Sequence, residues 1–288
     1  MKTKTIKKVL RAKVNEWLAS IEDVAVRELA SKNTIITGGA IASMLLNEPV
    51  NDFDVYFRNM RAAEAVARYY VAEFAKAGHP LGLDIEAGRI RITTTSGHRG
   101  ETSGQVEALG SDQIDDVYEQ AEEAALQTED DGAPKYRPVF MSTNAITLSH
   151  KIQIVLRFYG EPDAIHENYD FVHCTNYWSS WDDSITLRQP ALEALLAREL
   201  RYVGSKYPVC SLIRLRKFIK RGWTINAGQI LKMVMQVSAL DLTDPKVLED
   251  QLTGVDSAYF IQLMTKLREN DPEKVNAAYL VEIIDRMF

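Results

Sequence analysis

The sequence predicts an α/β (α+β) domain with a mixed sheet, followed by a C-terminal region made of helices. Three observations carry this prediction. Residues Thr34–Phe57 pass from a β-branched stretch through Gly38-Gly39 into an apolar helix-like stretch, then return to strand-like alternation. Residues 145–158 (AITLSHKIQIVLRF) set Ile152, Ile154 and Leu156 against polar neighbours at a period of two. From Gln189 onward the apolar residues recur at helical spacing.

The elements follow in order. Residues 4–30 read as one amphipathic helix, with Ile6, Val9, Leu10, Val14, Trp17, Leu18, Ile21, Val24 and Leu29 recurring at helical spacing and a basic head of Lys2, Lys4, Lys7, Lys8 and Arg11. That head is consistent with a solvated face of a packing helix or with a contact to nucleic acid. Thr34–Thr37 reads as a strand, Ala40–Leu46 as a helix and Asp52–Phe57 as a second strand. Met60–Lys76 has good helix formers and stops before Gly78 and Pro80. Leu81–Thr95 reads as strand with a turn near Gly88, and residues 96–134 as a flexible polar insert. Strand returns at Tyr136–Ser142, Ala145–Phe158, Tyr169–Trp178 and Ser184–Leu187, with a short helix at Glu161–Asn168. Helices are then predicted at Ala191–Tyr202, Pro208–Lys220, Ile225–Ala239, Pro245–Leu252, Ser257–Glu269 and Pro272–Met287. The domain plan is therefore an N-terminal helix over 1–30, an α/β domain over 31–188 with its insert at about 96–134, and a helical domain over 189–288.

The overall charge of −6 hides an uneven distribution. Between Glu101 and Asp131 there are eleven acidic residues and no Lys or Arg, which leaves 34 basic against 29 acidic side chains elsewhere, a net +5. The body of the chain is mildly basic and carries a separable acidic segment. No apolar run reaches the 18 or more residues that span a bilayer, and the N-terminus lacks a signal-peptide core, so the expected setting is cytoplasmic, the host cytoplasm for a viral protein. Cys174 and Cys210 make no disulfide framework, and His173 beside Cys174 would face the other way on a strand, which argues against a zinc site.

The chemistry concentrates in Thr34–Phe57. Gly38 and Gly39 allow close approach of the backbone to a ligand, and the following helix offers unpaired N–H groups and a positive dipole end to a phosphate. Asp52 and Asp54, two apart on a strand, share a face while Phe53 and Val55 take the other. Two adjacent carboxylates repel unless a cation lies between them, and oxygen ligands suit Mg²⁺.

This stretch resembles the signature of the polymerase-β-like nucleotidyltransferase superfamily: a Gly-Gly or Gly-Ser turn opening a helix, then an acidic D-x-D strand about a dozen residues later. The nearest wording is the tRNA CCA-adding and poly(A) polymerase branch, whose G-G-x-V-R-D-x-L-L pattern is echoed by Gly38–Leu46, with Ala42-Ser43 where that branch has Arg-Asp. The block from Lys151 to Trp223 also resembles uncharacterised proteins of large DNA viruses and phages. The resemblance implies a nucleotidyltransferase-like fold and Mg²⁺-dependent (or Mn²⁺-dependent) transfer of a nucleoside monophosphate from an NTP to a hydroxyl, on RNA or tRNA or on a smaller acceptor. It implies that Gly38, Gly39 and Ser43 hold the triphosphate, and that Asp52 and Asp54 bind metal. A third carboxylate is common in the superfamily; Asp170, read as opening a strand, is the candidate, a turn residue being the other reading of it. Lys151 and Arg157 could meet the triphosphate from the central strand. Arg214, Lys217 and Arg221 share a helix face beside Trp223, suited to RNA phosphates or simply to solvent. The competing expectation is a fold of this kind without turnover, serving as a nucleic-acid-binding or protein-interaction module. Oligomeric state is left open by the sequence.

Overall fold

The computed structural model describes residues 1–76, 81–86, 88–94, 134–142 and 144–244, together with 247, 250 and 251. The acidic insert and the expected helices from Pro245 onward lie outside these residues, wholly or for the most part. The chain falls into two compact units. The first comprises Met1–His166 and Cys174–Arg188; the second comprises Glu167–His173 and Gln189–Phe288.

The first unit opens with α1 (Thr3–Ser20) and α2 (Val24–Ser31), not with one continuous helix. The break has a local cause. The Asp23 carboxylate accepts from the backbone N–H of Ala25 at 2.8 Å and of Val26 at 3.0 Å, capping a new helix start. There follow β1 (Thr34–Thr37), α3 (Gly39–Leu46), β2 (Phe53–Phe57), α4 (Met60–Lys76), the hairpin of β3 (Leu81–Glu86) and β4 (Arg89–Thr94), then β5 (Pro138–Met141), β6 (Ala145–Leu148), β7 (Ile152–Tyr159), α5 (Pro162–His166), β8 (Tyr177–Ser179) and β9 (Ser184–Thr186). The stretch 145–158, expected as one strand, is two. His150 and Lys151 both take φ of 64° and turn the chain sharply between β6 and β7. Neither is glycine, so composition concealed the turn.

Seven strands form one mixed sheet in the order β5-β6-β7-β2-β1-β8-β9, with β2 and β7 parallel and the other neighbours antiparallel. Cross-strand register sorts its faces by polarity. One row, Ile185, Trp178, Ile36, Val55, Ile154, Ile146 and Met141, crosses all seven strands. The adjacent row, displaced by one residue and therefore on the opposite face, reads Thr186, Tyr177, Thr37, Asp54, Gln153, Thr147 and, on the edge strand, Phe140. The apolar face is covered by helices: Ile6, Leu10, Val14 and Trp17 of α1, Ala40, Ile41 and Met44 of α3, and Ala63, Val66, Ala67 and Tyr70 of α4 belong to the same buried cluster. At 3.6 residues per turn the α1 residues form a single stripe. The helices thus bury one sheet face, and Asp54 lies on the other.

The second unit contains a 3₁₀ turn at Val172–Cys174, whose first two residues belong to it, then α6 (Gln189–Ala197), β10 (Glu199–Leu200), α7 (Pro208–Lys220), β11 (Thr224–Ile225) and α8 (Ala227–Val237). Two expectations are corrected here. Tyr169–Trp178 is not a strand, because Val172–Cys174 coils and only Tyr177 starts extended structure. The helix expected over Ala191–Tyr202 ends at Ala197, and β10 pairs in parallel with β11, so this region is not purely helical. Arg198, with φ of 48°, makes the break between α6 and β10. Its core is aromatic: the His173 ring lies 4.8 Å from Phe218 and 4.3 Å from Trp223, with Phe171 5.5 Å from Phe218.

Candidate active site at the Gly38-Gly39 turn

The register of β1 against β2 positions the site. Thr37, the last residue of β1, pairs with Asp54, so the chain enters Gly38-Gly39 at the same sheet end at which Asp52 enters β2. Backbones paired in this way lie about 5 Å apart. Asp52 is exposed and Asp54 half-buried. Gly38 sits at φ 90°, ψ −149°, a combination that L side chains avoid, and it is the residue before α3. The residue before α3 makes no side-chain cap hydrogen bond to the first amides of this eight-residue helix. A Cβ built on Gly39 would meet nothing within 4 Å. Ser43 follows Gly39 by four residues and therefore shares its helix face.

A hydrogen-bond network absent from the sequence reading holds this turn. The carbonyl of Cys174 accepts from the Gly38 N–H at 3.1 Å. The Thr37 hydroxyl lies 2.9 Å from the Asn176 carbonyl, 3.2 Å from that of Cys174 and 2.8 Å from His166 Nε2. A hydroxyl has one proton, and the two carbonyls can only accept, so Thr37 donates to a carbonyl and His166 donates its Nε2–H to Thr37. Burial, with Arg188 nearby, lowers the His166 pKa to about 4, so the ring is neutral and carries its one proton on Nε2 in this assignment. These partners lie more than a hundred residues from Thr37 in sequence, and no short motif could announce them.

His173, in the second unit, is also lowered to about 4 by burial. Both folded values lie below the ordinary 6.5, so the unfolded chain takes up protons first as pH falls. The stability each neutral ring provides is complete above about pH 6.5 and is lost as pH drops toward 4. Urea midpoints measured at pH 7 and pH 5 should therefore fall on the acid side, and His173→Phe, which keeps a ring in the aromatic cluster, should flatten part of that fall. Equal midpoints at the two pH values would contradict it.

The other expected site residues divide. Lys151 lies beside the approach to Asp52: its Nζ donates to the Val50 carbonyl at 3.1 Å, and its own carbonyl accepts from the Phe53 N–H at 2.7 Å. Arg157 does not join them. Gln153 is the β7 partner of Asp54, and Arg157 lies four residues further along, about 13 Å at strand rise, with its guanidinium 5.6 Å from the Phe158 ring centroid. Asp170 is a buried residue of the second unit, 6% exposed, whose carboxylate pairs with Arg214. Two residues assigned to different tasks, metal and RNA, thus turn out to be each other's partners. The Arg214 charge answers an acid that burial would otherwise leave uncompensated. Lys217 and Arg221 are exposed.

β2 begins at Phe53, so Asp52 precedes the strand that was expected to carry it and Asp54 lies within it, a pair of acids at one sheet end; among the described residues no group of three or more His, Cys, Asp or Glu is placed to hold a metal. Such a pair of acids fits Mg²⁺, which commonly takes one or two carboxylates and completes its shell with water and substrate phosphates. No helix of the described residues is long and apolar enough to cross a membrane.

Comparisons with known proteins give three findings. A family model described as Gabija anti-defense 2 family protein matches residues 8–198. A relative named Gabija anti-defense 2, from Bacillus phage SPbetaL7, is 20% identical over 259 residues; the alignment covers 89% of this chain, and the chain spans about half (50%) of that relative's length. Among solved structures, a tRNA-processing enzyme with CTP aligns at a TM-score of 0.39 and 13% identity, covering 90% of this chain and 57% of the other. The Thermotoga maritima CCA-adding enzyme complexed with tRNA aligns at 0.39 and 13%, covering 90% and 56%.

Proposed function

The chain belongs to the Gabija anti-defense 2 family, and from that premise we propose that it acts against a defence system through a nucleotidyltransferase-type site. The reaction is transfer of a nucleoside monophosphate from an NTP to an acceptor hydroxyl. One observation carries this reading: the Thr37–Asp54 register, which brings an uncapped helix start and two carboxylates to one end of the sheet.

In this reading the first amides of α3 from Gly39 on, with Ser43 on the same face, bind the β- and γ-phosphates, while the Gly38 N–H stays with the Cys174 carbonyl and Gly38 shapes the turn. Thr37, His166 and the Cys174 carbonyl hold that turn in its glycine-only conformation, so the amides need no rearrangement on binding. Asp52 and Asp54 would hold Mg²⁺ or Mn²⁺, which when bound supplies charge neutralisation at the triphosphate and a lower pKa for the attacking hydroxyl. The hydroxyl oxygen bonds to the α-phosphorus, the bridge to the β-phosphate breaks, and pyrophosphate leaves. The hydroxyl proton passes to solvent at the exposed Asp52 end of the pair. The acceptor class is RNA, tRNA or a smaller hydroxyl compound.

The two glycines separate a ligand site from an ordinary turn. Gly38→Ala forces a side chain into φ 90° and should lower stability by about 1–3 kcal/mol. Gly39→Ala meets no protein atom and improves helix propensity, so stability should hold or rise by up to about 1 kcal/mol. Its Cβ would, however, stand where a phosphate approaches, and ATP affinity measured by calorimetry should fall. Unchanged ATP affinity in Gly39→Ala would speak for a turn and nothing more. ATP binding without incorporation of label into any acceptor, under Mg²⁺ and Mn²⁺ alike, would favour a binding module over an enzyme.

A further inference from the structure

A second charged feature occupies the same end of the sheet. Pro138, Leu148, Ile152 and Phe53 lie in one cross-strand row over β5, β6, β7 and β2. The residues just beyond that row therefore crowd together: 135–137 before β5, the turn 149–151 between β6 and β7, and 50–52 before β2. Lys13 of α1 joins them, its Nζ 5.0 Å from the Tyr136 ring centroid and 5.6 Å from that of Phe53. The His150 ring lies 5.3 Å from Tyr136, and the Ser149 N–H donates to the Arg137 carbonyl at 2.9 Å.

We propose that Lys13, Lys135, Arg137, His150 and Lys151 form a track for the backbone phosphates of a single-stranded polynucleotide lying across this end of the sheet. The cluster is costly as it stands. His150 and Lys151 hold consecutive left-handed conformations, both at φ 64°, which present two basic side chains at one turn. Lys13 is lowered in pKa by burial and by Lys151 and Lys135, against the opposing pull of Glu16. His150 is lowered by burial and by Lys13, Lys135 and Arg137. Glu16 accepts from Lys135 at 3.1 Å and from the Tyr136 hydroxyl at 2.8 Å. Anionic oxygens would relieve that mutual repulsion.

Extent selects the ligand. From the Gly38-Gly39 turn at the end of β1 to residues 135–137 at the head of β5 is four strand spacings, about 19 Å. That is the axial rise of several nucleotides of one strand, at roughly 3.4 Å each. A strand ending near Asp52 can reach along the basic side chains. Its role as an acceptor guide rests on the transferase reading; binding itself does not.

The test is fluorescence anisotropy of the full chain with labelled single-stranded RNA and DNA of one sequence, without NTP, over a series of salt concentrations. Calorimetry with ATP runs in parallel. Lys135 and Arg137 are exposed, so Lys135→Gln with Arg137→Gln should fold normally. Lys217→Gln with Arg221→Gln, on the surface of α7, is the comparator. We expect the first pair to weaken binding of at least one strand type by 10-fold or more at low salt. Loss of two phosphate contacts should also reduce the slope of log affinity against log salt by about 1.4, with ATP affinity unchanged and the comparator near the parent. No strand binding by the parent protein, equal loss in the comparator, or an ATP affinity that falls in step would each overturn the proposal. The last would make the cluster part of the nucleotide pocket, and it leaves the Asp52/Asp54 assay free to succeed or fail independently.

Discussion

Asp52→Asn combined with Asp54→Asn is expected to reduce Mg²⁺-dependent incorporation of labelled nucleotide by at least about 10³-fold, the scale on which preorganised electrostatic groups act. The amides keep the size of the carboxylates and remove both negative charges, so the cation loses its protein ligands while the turn keeps its shape. Asp52 is exposed and Asp54 half-buried, and neither belongs to the helical core, so the substitutions leave that core intact. Incorporation should therefore be lost in a protein whose urea midpoint is close to that of the parent. ATP binding in the absence of divalent cation should persist, because Gly39 and the first amides of α3 are untouched. If the double variant transfers nucleotide as well as the parent, Asp52 and Asp54 are not the metal carboxylates and the assignment fails.

Trp17→Ala should produce the largest loss of stability, about 3–5 kcal/mol. Trp17 is fully buried in α1, its ring centroid is 6.5 Å from that of Phe57 at the end of β2, and its Nε1–H donates to the Tyr70 hydroxyl of α4 at 2.8 Å. Truncation removes apolar burial, leaves a cavity between a helix and the sheet, and takes the donor from a buried hydroxyl whose own pKa burial has already raised. Trp17→Phe keeps most of the volume and loses the donor, so it should cost distinctly less, about 1–3 kcal/mol. Chemical denaturation with tryptophan-independent detection, such as far-UV circular dichroism, measures both. A loss below about 1 kcal/mol for Trp17→Ala would mean that α1 does not clamp the sheet.

The helical stripes show why much of the fold was legible beforehand. Ile6, Leu10, Val14 and Trp17 recur at a spacing that only a helix turns to one side, and α1 buries those residues. Met60–Lys76 and Pro208–Lys220 end where their termination signals stand. Misreadings arose where a side chain or a rare backbone state overrode pattern. The Asp23 cap split the first helix, two left-handed residues at 150–151 split a strand, and the coil at Val172–Cys174 interrupted another. Arg157 lies four residues past the β7 partner of Asp54, a distance along the strand that alternation alone does not report.

Local chemistry by itself determined that a glycine turn opening a helix and a pair of acids occur within one short stretch, because those properties belong to residue types and their spacing. Whether turn and acids would meet was decided by tertiary structure, through the antiparallel register of β1 on β2. The same holds for Thr37, His166 and Asn176, for the mutual capture of Asp170 and Arg214, and for the gathering of Lys13 with residues 135–151. Each depends on contacts between positions far apart in the chain. Such contacts arise from strand pairing and burial, which act on the chain as a whole and leave no mark within any short window of residues.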